Sequence, residues 1–464
     1  MTTARVGSEP YFIPVDAEAT VSAVSGSSVE LRRARNATAF ATLAAGSSQT
    51  ITEPCFAIST GERSDIEIAE VVAASAAAGD ATSSLTLPAN SICAIGDSLT
   101  DADNPANGGI EVYPQVGSRS YLLWAVLLSG GRLRYRGVSA TSGYTSQQVL
   151  DEHLPVVLAM DPAPAYCAVL AGRNPDGSLA TTKANLSAMY DALLTAGIVP
   201  IACTLPPSNL EGASARDHEL MAWIVTTAQR LGIPCADFYS PLVADTGGYG
   251  TTAGGTSYGF EGVNPVHQSA AGAKVMGQVL VDALDPHLGA RPWILPAQGA
   301  GDTTSLYDNP LFLDDTDADG RPDGWQAPSG APTMALVDDA TVGKGKVWEI
   351  TRGTATMDCY GDGWNVTAGH RLLLSVRLAA TVQNGDANRD TFQLDLMRQD
   401  LGNVACNFAV ARDVAAGSEF AAEFVVPAGY TGIRPHLQFG GGGTAGSIAQ
   451  LAQFTCVDLT AAGF

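Results

Sequence analysis

The sequence predicts a multidomain chain: a central three-layer α/β unit on a parallel sheet, a small β-domain before it and a β-sandwich after it. Three observations carry this. Across about residues 89–290, short apolar runs alternate with amphipathic helical stretches, the texture of strand–helix repeats. Residues 1–88 are polar and rich in small residues, with β-branched runs between Gly/Ser turns. Residues 291–464 hold strand-like runs with turns at roughly ten- to fifteen-residue spacing, as a sandwich requires. At roughly 100–200 residues per domain, 464 residues leave room for all three.

The elements follow in order. In the first region "SSVELRRA", "QTITEPCFAIST" and "SDIEIAEVV" read as strands, and "AASAAAGDATSSLTLPAN" reads as a linker, its alanines also able to form a short helix. In the central region strands are expected at Ile92–Ile95, Leu133–Gly137, Ala165–Ala171, Ile198–Cys203 and Ile233–Ala236. Helices are expected in "RSYLLWAVLLSG", "TTKANLSAMYDALLTAG", "ARDHELMAWIVTTAQRLG" and "SAAGAKVMGQVLVDAL". The Gly-Ile pairs of "AGIVPIAC" and "LGIPCADF" stop a helix and feed the next strand. Nearly continuous apolar strands between helices imply a parallel sheet covered on both faces. A Pro/Gly linker, "DPHLGARPWILPAQGAGDTTSLY", leads to the third region, with strands in "KVWEITR", "RLLLSVRLAA", "TFQLDLMRQ", "EFAAEFVVPAG", "IRPHLQFGG" and "AQFTCVDLT".

A net charge of −22 repels nucleic-acid phosphates and anionic membranes, and favours neutral partners or cations. No apolar run reaches the length of a membrane span, about 18 residues or more. The N-terminus lacks the basic and apolar segments of a signal peptide, so none is expected. None of the eight cysteines forms a Cys-x-x-Cys pair. Cys93, Cys167, Cys203 and Cys235 lie in apolar runs, which predicts buried, reduced thiols and folding in a reducing cytoplasm.

The stretch "SICAIGDSLTDADN" places Ser98 where an apolar strand ends. A serine hydroxyl is a weak nucleophile until a base takes its proton. Of six histidines, His267 in "GVNPVHQSAAGAKVMG" follows the last strand and precedes the closing helix, so it can share a sheet edge with Ser98. Sites in open parallel sheets form at the carboxyl ends of strands. Gly143 in "SGYTSQQVL" and Asn174 in "LAGRNP" follow the second and third strands and can supply N–H donors to a developing oxyanion. Asp97 is expected to support the turn, and His153 and His218 to lie on helix surfaces.

This set resembles the SGNH hydrolases, also called GDSL esterases/lipases. "GDSL" at Gly96–Leu99, Gly143, "GRN" at Gly172–Asn174 and His267 five residues before Gly272 match the family's blocks in order. The resemblance covers about residues 90–288. It implies a flavodoxin-like sheet, Ser98 as nucleophile, His267 as base, and an oxyanion hole from the N–H groups of Ser98 and Gly143 with the Asn174 amide. It implies no cofactor for catalysis. The chain departs from the family at two positions. Asn264 stands three residues before His267, where the family has Asp; Asn264 is the expected orienting partner, with Glu261 as a substitute acid. Pro175 follows Asn174 where the family commonly has Asp, which is expected to change loop packing more than chemistry.

In the third region Asp315, Asp317, Asp319 and Asp323 alternate around Gly320, a pattern that suits a structural Ca2+ site or a solvated acidic turn. "NPLF…DGW" resembles carbohydrate-binding-module jelly rolls. Trp325, Trp348 and Trp364 are then either sugar-stacking platforms or core residues, the core being the commoner use. The whole looks like a bacteriophage tail spike or fibre. The expectations are an esterase acting on acetyl or other acyl groups of a bacterial surface polysaccharide, made in the host cytoplasm and placed in the virion, with other tail proteins as partners, no nucleic acid, no membrane insertion and a homotrimeric state. The alternatives are a free carbohydrate esterase and a catalytically inactive glycan-binding receptor protein.

Overall fold

The computed structural model describes residues 90–101, 117–208, 215–253, 255–259, 266–288, 305–340, 342–381, 392–399, 405–410, 413–439 and 445–463, and the backbone of the other strand and helix residues named below. Eight strands precede Ser91: β1 Thr2–Val6, β2 Tyr11–Ile13, β3 Ala19–Ser25, β4 Val29–Arg32, β5 Ala41–Leu43, β6 Ser48–Ile51, β7 Cys55–Ser59 and β8 Ser64–Glu70. They pair antiparallel in two four-stranded sheets, ordered β1-β8-β3-β6 and β2-β7-β4-β5.

The central region runs β9 Ser91–Gly96, α1 Ser98–Asp101, β10 Gln115–Val116, α2 Tyr121–Leu128 and β11 Arg134–Ala140. A helix follows in three parts: α3 Ser146–Gln148, a π-helical turn Val149–His153, and α4 Leu154–Leu158. Then come β12 Tyr166–Leu170, α5 Leu179–Thr195, β13 Val199–Cys203, α6 Ser214–Leu231, β14 Cys235–Ala236 and α7 Ala270–Leu284. Five strands pair in parallel in the order β11-β9-β12-β13-β14. The chain thus reverses direction between β9 and β12, the kind of switch point at which open α/β sheets bind ligands. Right-handed crossovers put helices on both faces of such a sheet. The strands bury every residue of "SICAIG", "YCAVL" and "VPIAC", which is why they read as continuous apolar runs. Cys93, Cys167 and Cys203 are buried free thiols among them.

Helix α2 is apolar all round, and Tyr121 through Leu127 are buried. It packs against α7, β11 and β22 (Val414–Val425), a strand of the C-terminal region. Gly277 on α7 allows the close approach: a Cβ there would lie 2.4 Å from the Trp124 Cβ.

The C-terminal region adds β15 Thr333–Val337, β16 Val347–Thr351, β17 Met357–Tyr360, β18 Trp364–Asn365, β19 Arg371–Thr381, β20 Phe392–Arg398, β21 Val404–Val410, β22, β23 Gly432–Phe439 and β24 Ile448–Asp458. One antiparallel run, β22-β19-β24-β16-β15, continues the central sheet without a break, through the parallel pair Tyr135↔Ala422 between β11 and β22. The other sheet, β10-β21-β20-β23-β17, takes its edge strand β10 from the central region. The two regions therefore exchange strands rather than meeting only through a linker. Their contact encloses ions: Glu423 on β22, with its side chain 1% exposed, pairs with Arg134 at 3.2 Å, with Arg371 at 3.0 Å and with Arg136. Trp325, Trp348 and Trp364 are all buried, packed with Tyr307, Phe312 and Phe454. They form the core and are not available as sugar platforms.

Candidate active site

Ser98 opens α1 at the carboxyl end of β9. The turn that presents it is fixed by Asp97. Its Oδ1 accepts the Leu99 N–H at 3.0 Å, and its carbonyl accepts the N–H groups of Thr100 and Asp101 at 3.0 and 2.9 Å. Gly96 is required by space, since a Cβ there would lie 2.3 Å from both the Leu170 carbonyl and the Thr100 Oγ1. The Asp97 carboxyl is wholly buried. Burial pushes its pKa up to about 6, against the Leu99 hydrogen bond and the nearby Arg173 charge. Arg173, also buried, is held by Asp217 and the Pro206 carbonyl.

Gly143 lies in the turn after β11, closed by the Tyr144 N–H donating to the Thr141 carbonyl at 3.2 Å. Its φ of 84° is the left-handed conformation that glycine adopts without strain. Ser142 ties this turn to α1, its Oγ donating to Asp101 Oδ2 at 2.9 Å. Asn174 follows β12, and its Nδ2 donates to the Tyr144 carbonyl at 2.9 Å. An amide NH2 has two hydrogens, so one orients the group and the other is left for a ligand. Asp176 completes the frame. It accepts the N–H groups of Ser146 and Gln147 at 3.1 and 3.2 Å, capping the helix that begins at Ser146. Burial would raise the Asp176 pKa, but the Ser146, Thr145, Gln147 and Thr182 hydrogen bonds outweigh it and hold it low. An aspartate does anchor this loop, two residues after Asn174 instead of at Pro175.

His267 lies two residues before Ser269, the N-cap of α7. The residue that places it is Gln268, 0% exposed, whose Nε2 donates to the Leu99 carbonyl at 2.9 Å and to the Arg119 carbonyl at 3.0 Å. That one amide ties the histidine loop to the residue after Ser98. Sequence reading passed over Gln268, because a glutamine beside a histidine has no signal until its partner, 169 positions away, is known. Three hydrogen bonds thus tie the segments that carry the four residues: Gln268 to Leu99, Ser142 to Asp101, and Asn174 to Tyr144. A serine hydroxyl, an imidazole and N–H donors are the kinds of group that acyl transfer uses. Asn264 and Glu261 lie outside the described residues.

Residues 94–275 match the family model of GDSL-like lipases/acylhydrolases. This segment is similar to the GDSL-type hydrolases. The match spans Ser98, Gly143, Asn174, Asn264 and His267. A search of curated proteins finds no significant match. Among solved structures, the chain is similar to a GDSL-like lipase from Bacteroides thetaiotaomicron, with 18% identity, coverage of 43% of this chain and 90% of that one, and a TM-score of 0.32. It is similar to a member of the lipolytic G-D-S-L family from Veillonella parvula, at 18% identity, 41% and 96% coverage and a TM-score of 0.32. It is also similar to the enzymatically active domain of tailspike protein 4 of bacteriophage CBA120, at 14% identity, 33% and 21% coverage and a TM-score of 0.25.

Two other sequence expectations meet the structure here. His153 is buried, not on a helix surface. Its Nδ1 lies 2.8 Å from the Ser139 Oγ, and burial lowers its pKa. The π-helical turn at Val149–His153 shifts the helical frame, so a face assigned at 3.6 residues per turn is wrong there. His218 is exposed and meets the Tyr239 hydroxyl at 3.0 Å. In the acidic turn, Asp315, Asp317 and Asp323 bring carboxylate oxygens within 4.8 Å of one another. Arg321 pairs with Asp319 at 2.9 Å and with Asp317 at 3.6 Å. Carboxylate oxygens are the ligands that hard cations such as Ca2+ take.

Proposed function

We propose that the protein is a serine esterase that removes acetyl or similar small acyl groups from a bacterial surface polysaccharide, as a component of a bacteriophage tail. The observation that carries the esterase reading is the set of hydrogen bonds, Gln268 to Leu99, Ser142 to Asp101 and Asn174 to Tyr144, that joins the segments bearing Ser98, Gly143, Asn174 and His267. In this reading Ser98 Oγ attacks the ester carbonyl while His267 takes its proton. The N–H groups of Ser98 and Gly143 and the Asn174 amide hold the oxyanion. His267 then gives the proton to the leaving alcohol, and water, deprotonated by His267, releases the acid from the acyl-serine. No step calls for a cofactor.

The substrate class is supported by architecture and charge. A hydrolase fused through a continuous sheet to a C-terminal β region suits a large, fixed substrate, and a net charge of −22 favours a neutral glycan over an anionic polymer. In the same reading the N-terminal strands attach to neighbouring tail proteins, the assembly is a homotrimer, and Asp315, Asp317 and Asp323 bind a structural Ca2+. Light scattering checks the trimer, and a rise in Tm with Ca2+ that EGTA reverses checks the cation.

The test of the activity is hydrolysis of p-nitrophenyl acetate, and then acetate release from acetylated surface polysaccharide, by the wild type and by Ser98→Ala. Turnover that disappears in Ser98→Ala is expected. Asn264 at the family's acid position favours one second reading, a receptor protein that binds the glycan without cleaving it. Glycan binding with no Ser98-dependent acetate release would establish that reading instead.

A further inference from the structure

We infer that Tyr144 is a specificity-determining residue of this site, its ring a fixed platform for the sugar ring that carries the scissile acyl group. The inference rests on the esterase reading and concerns the part of the substrate beyond the ester. Tyr144 directly follows Gly143, and its carbonyl accepts the Asn174 Nδ2–H at 2.9 Å. The ring is thus attached between two of the donors that the esterase reading assigns to the oxyanion. Its position is set from two sides. The hydroxyl donates to Glu152 Oε2 at 2.7 Å. The ring lies over the His153 imidazole, with centroids 5.2 Å apart and planes tilted by 33°. His153 is itself buried, and its Nδ1 lies 2.8 Å from the Ser139 Oγ on β11, so the support beneath the ring is anchored to the sheet. Glu152 and His153 are consecutive residues of the π-helical turn, which brings both to Tyr144.

The imidazole covers one face of the ring. The residue as a whole is only half-buried, and Ser142 and Gly143 before it are exposed, so the other face is open at the rim. A sugar ring offers an apolar face of C–H groups and a polar edge of hydroxyls. A flat aromatic face with polar groups around it matches that pattern. Because Glu152 and His153 fix the ring before a ligand arrives, little side-chain freedom is lost on binding. Asp151 and Glu152 are both exposed beside it, and their charge disfavours an anionic sugar and leaves a neutral one as the ligand.

The probes are glucose pentaacetate and triacetin, acetate esters with and without a sugar ring. The readout is the ratio of their kcat/KM values in the wild type, Tyr144→Phe and Tyr144→Leu. Every substitution keeps the backbone carbonyl that orients Asn174. Any disturbance of the oxyanion donors moves both substrates together and cancels in the ratio. Tyr144→Phe keeps a flat ring and should stay within about threefold of the wild-type ratio. In Tyr144→Leu the ratio should fall about tenfold against the pentaacetate, chiefly through KM. An unmoved ratio in Tyr144→Leu overturns the inference, as does an equal fall in Tyr144→Phe, which would trace the effect to the Glu152 bond. Should Tyr144→Leu not fold, Tyr144→Met takes its place with the same expected fall. If the wild type turns over neither ester in a Ser98-dependent way, the esterase reading itself is lost. Saturation-transfer NMR with glucose pentaacetate then decides the platform alone: transfer lost in Tyr144→Leu supports it, and equal transfer overturns it.

Discussion

Glu423→Gln tests whether the hydrolase domain and the C-terminal region fold as one body. Glu423 stands on β22, its side chain 1% exposed, among Arg134 and Arg136 of β11 and Arg371 of β19. Those arginine side chains are themselves 6%, 9% and 17% exposed, so water gives little screening. Removing one partner of a buried ion pair costs about 3–5 kcal/mol, because the remaining charge is left without compensation. Here three guanidinium groups would face one another across the strand pair that joins the two regions. At about 2 °C per kcal/mol for a large domain, Tm should fall by about 6–10 °C. The assay is thermal unfolding followed by two probes: loss of ester hydrolysis, which reports on the Ser98 site, and fluorescence of the Trp325–Trp348–Trp364 core in a variant with Trp124, Trp223 and Trp293 replaced by Phe. Both transitions should move down together. A loss below about 1 kcal/mol would refute the argument that these charges are mutually dependent. A shift of one probe alone would refute the single body.

Three further outcomes follow from the site. Asn174→Ala should lower kcat by about 10²–10³-fold with KM little changed, the cost of one oxyanion donor, and a loss under about fivefold in steady-state kinetics would remove Asn174 from the hole. Gln268→Leu, near in shape but unable to donate to Leu99 and Arg119, should lower kcat by about 10–100-fold through misplaced His267, and unchanged kcat would show that the histidine loop is held by other contacts. For Asp97, the folded pKa of about 6 lies above the ordinary 3.8, so the folded state holds this proton more tightly. Its contribution to stability is present below pH 3.8, is lost as pH rises through 6, and stays lost above that. Asp97→Asn should therefore unfold at higher denaturant than wild type at pH 8, by up to about 3 kcal/mol at 1.36 kcal/mol per pH unit, with the gap shrinking towards pH 4, and a gap that does not change with pH would refute burial as the cause.

The parallel strands were legible because burial on both faces leaves a one-sided signal: "SICAIG" and "YCAVL" are apolar throughout. The expected strand Ile233–Ala236 is shorter in the structure, at Cys235–Ala236, since it pairs only with β13 at the sheet edge. In the C-terminal region β15, β17, β18 and β21 were not expected: β15, β17 and β18 are short and half-buried, mixing polar and apolar residues, and β21, though mostly buried, carries Asn407 in its middle. The apolar helix α2 has no polar face, and its sequence already says that something covers it. Only the tertiary structure shows that α7, β11 and β22 do, the last from the C-terminal region.

The residues of the candidate site were readable because each follows a strand end, and short-range rules place Ser98 on a turn, Gly143 at a positive φ and His267 before an N-cap serine. Those are local facts, set by sterics and backbone hydrogen bonds within a few residues. What joins them is not local. Gln268 reaches Leu99, Ser142 reaches Asp101, Asn174 reaches Tyr144, and Glu423 reaches arginines 287 and 52 positions away. A polar side chain carries no mark of which distant group will satisfy it. That choice is made when burial removes water and leaves each donor and charge only the partners the packed strands bring within reach.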